Sequence, residues 1–422
     1  MTQLSNPLVL YFHIHQPQRL RKMGFLDIGG DSEYFNDSFN ADVIRKAAQV
    51  CYLPVNSMLT SLCKAHRNVR LSFSISGVTL RQFEKYAPEV IDSFRSLVDT
   101  GCVELIGETS HHTLAGVTSS EEFSNQVMEQ TSLIEKYFHV IPAVFRNTEL
   151  IYDNKIGERV ANLGFKGILC DDVDRVLGHR NHHTIYNHPW ERKLKILLRN
   201  NTLSDDIGFR FKNLELDTYF RNIEQAGGIV LLGVDYETFG EHQPASTGII
   251  DFLHDLIVKT TKSKRVRLMT PSEALRSQKA TDILDVPELI SWADEAKDIS
   301  AWLENDIQNE AFKLIHSLED YVRKTSDEHL LDVWRNLQTS DHFYYMCTKA
   351  GPDGEVHSYF SPYQSPYEAY INYMNVLNDF KLRLQQTPSQ DQMEATEYER
   401  RHENVPIWAE RAQVKYNEHT SR

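Results

Sequence analysis

The sequence predicts an α/β fold: a parallel sheet closed, or nearly closed, into a barrel, followed by an all-helical region. Three observations carry this. Short apolar runs recur through the first two-thirds of the chain, helix-spaced segments separate most of them, and after about position 280 the strand-like runs stop. Strand and helix alternating about seven times is the pattern of a parallel barrel, because each crossover needs a helix to cover the sheet.

The runs are, in order, LVLYFHI (8–14), RLSFSIS (70–76), CVELIG (102–107), AVFRNT (143–148), KGILC (166–170), KILLR (195–199) and GIVLLGV (228–234). RVRLM (265–269) is weaker and reads as an outlier or an edge strand. Helical spacing marks 121–138 and 248–261, and TPSEAL (270–275) carries a capping pattern, Thr270 before Pro271 with Glu273 three residues on. Beyond this, 287–325, 327–346 and 367–386 show helical periodicity. The expected organisation is therefore a barrel over 1–280, a helical domain over 281–386 and a polar tail over 387–422.

At 422 residues the chain is long for one ordinary core. A net charge of −14 argues against a general nucleic-acid surface, which needs clustered Lys and Arg. Cys51, Cys63, Cys102, Cys170 and Cys347 are scattered, with no CxxC pair, and Cys102 and Cys170 read as buried free thiols. The first residues lack a basic n-region and a long apolar stretch, and no later segment reaches the length of a membrane span. The expected location is cytoplasmic. Oligomeric state is left open.

In such barrels the reacting groups stand where strands end. Strand one ends in His13, His15 and Gln16, the two histidines sharing one face because strand side chains alternate. Strand three is followed by Glu108, His111 and His112, strand four by Glu149, strand five by Asp171 and Asp172, strand six by Arg199 and Asn200, and strand seven ends at Asp235. Two acids from different strands, Glu149 and Asp235, are what glycosidic cleavage needs, one to attack or stabilise the sugar cation and one to protonate the leaving oxygen. His-Ile-His after strand one raises a second chemistry, a metal-dependent hydrolase, since imidazole is a common ligand. That site would want histidines after strands five and six, where this chain has Asp171 and Arg199, and His179 and His183 read as loop residues. Histidines bonding sugar hydroxyls fit better. Aromatic residues in DHFYYM (341–346) and YFSPYQSPY (359–367), with Trp292 and Trp302, suit either a packed helical core or walls on which sugars stack.

FHIHQP (12–17), ELIGETSHH (104–112), FRNTELIYDN (145–154), VDYETFGEHQ (234–243) and LQTSDHFYYM (337–346) resemble, in order, the five sequence regions of glycoside hydrolase family 57, most closely its α-amylase branch. The resemblance implies an incomplete (β/α)7 barrel with a helical domain closing the cleft, and a retaining enzyme acting on α-glucans or maltooligosaccharides without a metal or other cofactor. It implies Glu149 as nucleophile and Asp235 as acid/base. His13, His15, Gln16, His111, His112, His242, Asp341 and Tyr344 are implied around the substrate, with no nucleic-acid or membrane partner. Tyr344 and His242 stand where glucanotransferase relatives carry tryptophans, which favours hydrolysis over transfer. A 4-α-glucanotransferase or branching enzyme, a metal-dependent hydrolase and a catalytically silent glucan-binding protein are the alternatives. Glu237, two residues past Asp235, is expected either to raise the acid's pKa by like-charge repulsion or only to orient its neighbours.

Overall fold

The computed structural model describes residues 5–30 and 33–387; the tail expected over 387–422 lies outside the described residues from position 388 on. Among the described residues ten strands form one sheet: β1 (Asn6–Ile14), β2 (Leu71–Ile75), β3 (Val103–Leu105), β4 (Val144–Arg146), β5 (Gly167–Asp171), β6 (Ile185–Asn187), β7 (Lys195–Arg199), β8 (Val230–Asp235), β9 (Val266–Leu268) and β10 (Asp282–Ile283). Seven of them, at the runs predicted from sequence, make the barrel wall in parallel pairs β8–β1–β2–β3 and β4–β5–β7. The two arcs meet twice. Gly107 bridges β3 to Phe145 of β4 through Gly107 N–H to Val144 O (2.9 Å) and Arg146 N–H to Gly107 O (2.8 Å). On the other side β7 touches β8 at a single pair, Arg199 with Leu231.

Below that narrow contact lies β6, antiparallel to β7, with His183 O accepting from Ile229 N–H (2.8 Å). Its run is only three residues and was not foreseen. RVRLM is an edge element, β9, paired with Asn6–Leu8 of β1. Thr270 and Glu273 form the expected capping box.

Alternation along the strands divides each into an outward and an inward column. On β1, Leu8, Leu10, Phe12 and Ile14 join the core under the helices, whereas Val9 and Tyr11 join the barrel interior. That interior also holds Ile106, Val144, Leu169, Leu197 and Leu231. Two residues further along each strand the inward column turns polar: His13 after Tyr11, Glu108 after Ile106, Arg146 after Val144, Asp171 after Leu169, Arg199 after Leu197. On β8 the step is taken through Gly233 to Asp235. At Gly233 a Cβ would stand 3.3 Å from both Tyr11 and the Arg199 stem, closer than an ordinary contact. An apolar plug thus fills the lower barrel and a polar ring crowns it.

The helices after residue 300 are Ser300–Leu303, Asp306–Ser317, Glu319–Thr325, Glu328–Leu337, Ser340–Tyr344, Gly351–Phe360 and Pro366–Gln386. Their core, with Trp302, Trp334, Phe343 and Phe380, is continuous with Phe145, Tyr152 and Ile168 of the barrel. Two expectations are corrected here. Residues 287–299 are not helical, because their backbone groups pair across the rim instead: Ile290 exchanges both bonds with Tyr152, and Trp292 N–H reaches Glu149 O (3.3 Å). Asp294 and Lys297 have φ of 55° and 52°, which no helix continues through. The periodic stretch 327–346 breaks at Gln338–Thr339, where Thr339 bridges Thr113 and Ser340 N–H bonds His112 O (3.0 Å). Gly351-Pro352 starts the next helix, Pro sitting in the first turn where its missing N–H costs nothing.

Among the described residues no helix is long and apolar enough to cross a membrane. All five cysteines are buried and free.

Gly107 holds the closure point, and a Cβ there would stand 2.8 Å from the Phe165 ring. Gly107→Ala is expected to lower unfolding free energy by about 1–3 kcal/mol through overpacking, read as a reduced urea midpoint with unchanged slope. An unaltered midpoint would show that the seam yields freely.

Candidate active site

The polar crown is a set of side chains that touch one another. His13 links two acids, with Nδ1 at 3.3 Å from Asp235 Oδ1 and Nε2 at 3.5 Å from Glu108 Oε2. His15 bonds Ser76 Oγ through Nδ1 (2.8 Å) and Asp341 Oδ2 through Nε2 (2.9 Å). His112 stacks between them, its ring centroid 3.9 Å from that of His15 and 5.0 Å from that of His13. Arg146 Nη1 donates to His112 Nε2 (2.9 Å), so the proton of a neutral His112 lies on Nδ1, which faces Ser340 Oγ at 3.0 Å.

Glu149 is held from three sides. Its φ of 55° and ψ of 25° place it in the left-handed region, a strain of about 1 kcal/mol or more for a non-glycine residue. The turn is kept there by Leu150 N–H to Asn147 O (2.9 Å) and by the Trp292 backbone contact. Trp292 Nε1 donates to Glu149 Oε2 (2.7 Å), and Ser340 Oγ lies 3.4 Å from Oε1. The indole in turn lies under two guanidinium groups, Arg146 at 5.1 Å and Arg199 at 5.4 Å from the ring. Sequence reasoning counted Trp292 among the rings of the helical region and passed over Arg146 and Ser340. Their signals were faint, an arginine inside an apolar strand and a serine beside Asp341.

Of the remaining sequence-predicted residues, Gln16 is buried behind the crown. It accepts from Arg19 Nη2 through Oε1 (3.0 Å), and its Nε2 stands 3.5 Å from Glu237. His242 and Tyr344 belong to one aromatic wall joined through Phe360: His242 meets Phe360 edge-on at 5.3 Å and Tyr344 meets it at 6.5 Å. Tyr344 also stacks on His357 at 3.7 Å. His111 is the exception. Its ring turns away from the cluster to Arg81 Nη1 (3.2 Å) and Asp332 (3.3 Å), because adjacent residues of the loop point to opposite sides, and the φ of 52° at His112 fixes which one faces in. It braces the barrel against the helix Glu328–Leu337 rather than lining the cleft.

Burial raises the Glu149 carboxyl above its ordinary range, against the lowering effects of Arg146 and the Trp292 N–H. Asp235 goes the other way. Burial opposes it, but the His13 bond, the His13 charge, His242 and Arg146 together hold it low. His13 is raised despite burial and Arg146, because Glu108 and Asp235 both favour its charged form. His112 is driven well below the usual range by burial and by its imidazole neighbours. Glu237 does not lift Asp235 above the ordinary range; its own carboxyl is pushed up to about 7 by burial and by Asp235.

Two trios, His13–Glu108–His112 and His15–His112–Asp341, bring ligand-type atoms within 4.8 Å. Arg146 already donates to His112 Nε2, which sets a resident cation against the first of them.

The description Glycosyl hydrolase family 57 belongs to a family model that matches residues 9–287. A Methanocaldococcus jannaschii protein described as "Putative alpha-amylase" is 34% identical over 397 residues, covering 89% of this chain and 84% of that one. Among solved structures, a GH57 branching enzyme from Thermococcus kodakaraensis, crystallised with glucose and additives, superposes with a TM-score of 0.66 at 14% identity, over 90% of each chain. A GH57-type branching enzyme from Pyrococcus horikoshii gives 0.64 at 16% identity, covering 95% of each. An alpha-amylase from Thermotoga maritima gives 0.62 at 11% identity, over 94% of this chain and 96% of that one.

Glu237 is 3% exposed and accepts from Tyr52 Oη at 2.6 Å. Its folded pKa of about 7 lies above the unsupported 4.5. Its protonated form therefore favours folding below about 4.5, and that contribution is lost as pH rises to about 7. Glu237→Gln, which cannot ionise, is expected to flatten the stability–pH curve over this window by about 3 kcal/mol, measured by denaturation at each pH. Parallel curves for the two proteins would refute it.

Proposed function

The chain belongs to glycosyl hydrolase family 57 and is a glycoside hydrolase; from that premise we propose that it is a retaining α-glucan hydrolase of the α-amylase type, cleaving α-1,4-glucosidic bonds by double displacement. The observation that carries this is the convergence of Glu149 and Asp235 on the one imidazole cluster, Glu149 through Ser340 and His112, Asp235 through His13. Glu149 attacks the anomeric carbon while Asp235 protonates the leaving oxygen. Water activated by the ionised Asp235 then releases the sugar from Glu149. Asp341, His15 and His112 supply partners for sugar hydroxyls, and the His242–Phe360–Tyr344 wall offers faces for stacking. The chain retains a tyrosine and a histidine on that wall, and the relatives described as branching enzymes make transfer to an acceptor sugar the second reading.

Glu149→Ala and Asp235→Ala are each expected to lose on the order of 10⁴-fold in kcat or more with the fold retained. Azide added to Glu149→Ala should yield the inverted glycosyl azide, and to Asp235→Ala the retained one. The opposite pattern would exchange the two roles. NMR of the first-formed product from maltoheptaose checks retention directly.

Trp292→Phe removes the donor that favours ionised Glu149 while keeping an aromatic ring. Without it the Glu149 pKa rises, so the acid limb of kcat/KM should move to higher pH by roughly one unit. A shift to lower pH, or none, would show that the indole N–H does not support the nucleophile.

A further inference from the structure

Glu108 has no part in the double displacement as described, yet its surroundings are unusual for a carboxylate. It is 0% exposed, and neither oxygen has a hydrogen-bond partner among the described residues. A charge so placed is costly unless something compensates it nearby. The group it faces is His13 Nε2, which likewise lacks a closer partner. His13 Nδ1, on the other side of the same ring, addresses Asp235, whose side chain is 38% exposed. The three groups come from three strand ends, β3, β1 and β8, and lie in one line: buried acid, imidazole, open acid.

We infer that Glu108 and His13 form a proton relay behind Asp235, so that the acid delivered to the glycosidic oxygen is stored on the His13–Asp235 couple and held there by Glu108. This rests on the proposed acid/base role of Asp235. In the free site the proton sits on His13 Nδ1, with Nε2–H directed to Glu108. A bound sugar strips water from Asp235, which disfavours its ionised form, and the Nδ1 proton passes to Asp235 Oδ1. His13 is then neutral, keeps its Nε2 proton toward Glu108, and accepts from the new carboxyl O–H. Asp235 gives that proton to the leaving oxygen as the C1–O bond breaks, its electron pair staying on oxygen, and Glu149 bonds to C1. In the second step Asp235 takes a proton from the attacking water, and the couple returns it to Nδ1.

The relay explains why Asp235 is held low, whereas a group acting alone as a general acid would be held high. His13 is also faced by Arg146, His112, His15, Glu149 and Glu237. Arg146 and the neighbouring imidazoles oppose its charge, so the acids must outweigh them.

The test has two arms on the full chain. In the first, histidine-labelled protein is titrated by NMR, with His13→Asn identifying the resonance. His13 is expected to stay charged above the free-imidazole value of about 6.5, and Glu108→Gln to lower its titration by roughly one unit or more. In the second, Glu108→Gln is expected to lose about 10–100-fold in kcat on maltoheptaose, with KM little changed, and to move the alkaline limb to lower pH. On 2,4-dinitrophenyl α-maltoside, whose leaving group needs no proton, the loss should largely vanish. Equal losses on both substrates, a neutral His13 at pH 6, or one tightly bound divalent cation per chain at these residues would overturn the relay. Because the His13 titration needs no turnover, it stands even if the azide products reassign Asp235. If Glu108→Gln does not fold, the wild-type titration alone decides.

Discussion

Glu108, Glu149, Asp235 and Asp341 converge at the rim of the barrel with Arg146 and the imidazoles of His13, His15 and His112. In a space with little water each charge must find its counterpart within the cluster. Much of the local structure follows from that requirement. Arg146, 0% exposed, fixes the tautomer of His112. His112 then donates toward Ser340, which stands against Glu149. His15 and Asp341 pair at 2.9 Å across the boundary between barrel and helices. The helical region is thereby attached to the site by an electrostatic contact as well as by its core.

Backbone geometry near the cluster is correspondingly constrained. His112, Glu149 and Leu150 all have positive φ, as do Asp294 and Lys297 in the strap that carries Trp292. Such conformations persist only where the surroundings over-determine them. Here the strap is tied by Lys349 to Asp294 (2.8 Å), by Lys297 to the Trp292 carbonyl (2.9 Å) and by Arg175 to the carbonyls of Ala296 and Lys297. The indole N–H that reaches Glu149 is therefore placed by residues outside the polar cluster, Arg175, Lys297 and Lys349.

The opposed titration of the two acids has the same origin. At Glu149 burial outweighs the lowering effects of Arg146 and the Trp292 N–H, so its proton is retained longer. Asp235 has an imidazole against one oxygen and the cleft beyond, so the charged form prevails.

Sequence alone located the seven wall strands and the residues that follow them. Period-two alternation together with short apolar runs is a local property, and it located all seven wall strands, His13 and His15 on one face, and the acids at 149 and 235. Ordered motifs supplied the family. What lay beyond reach was decided between segments far apart in the chain. The three-residue β6 carries too little pattern to be read, and it forms because β7 and the residues before β8 offer it partners. Residues 287–299 have helical spacing, but their donors find Tyr152 and Glu149, 140 or so positions away, and tertiary pairing overrides local preference. His111 and His112 are alike in sequence; a φ of 52° at His112 decides which one faces the cleft. Glu108, Arg146, Ser340 and Trp292 acquire their roles only when strand ends and the helical region are brought together, because a buried charge takes its meaning from what faces it, and that is a property of the folded chain.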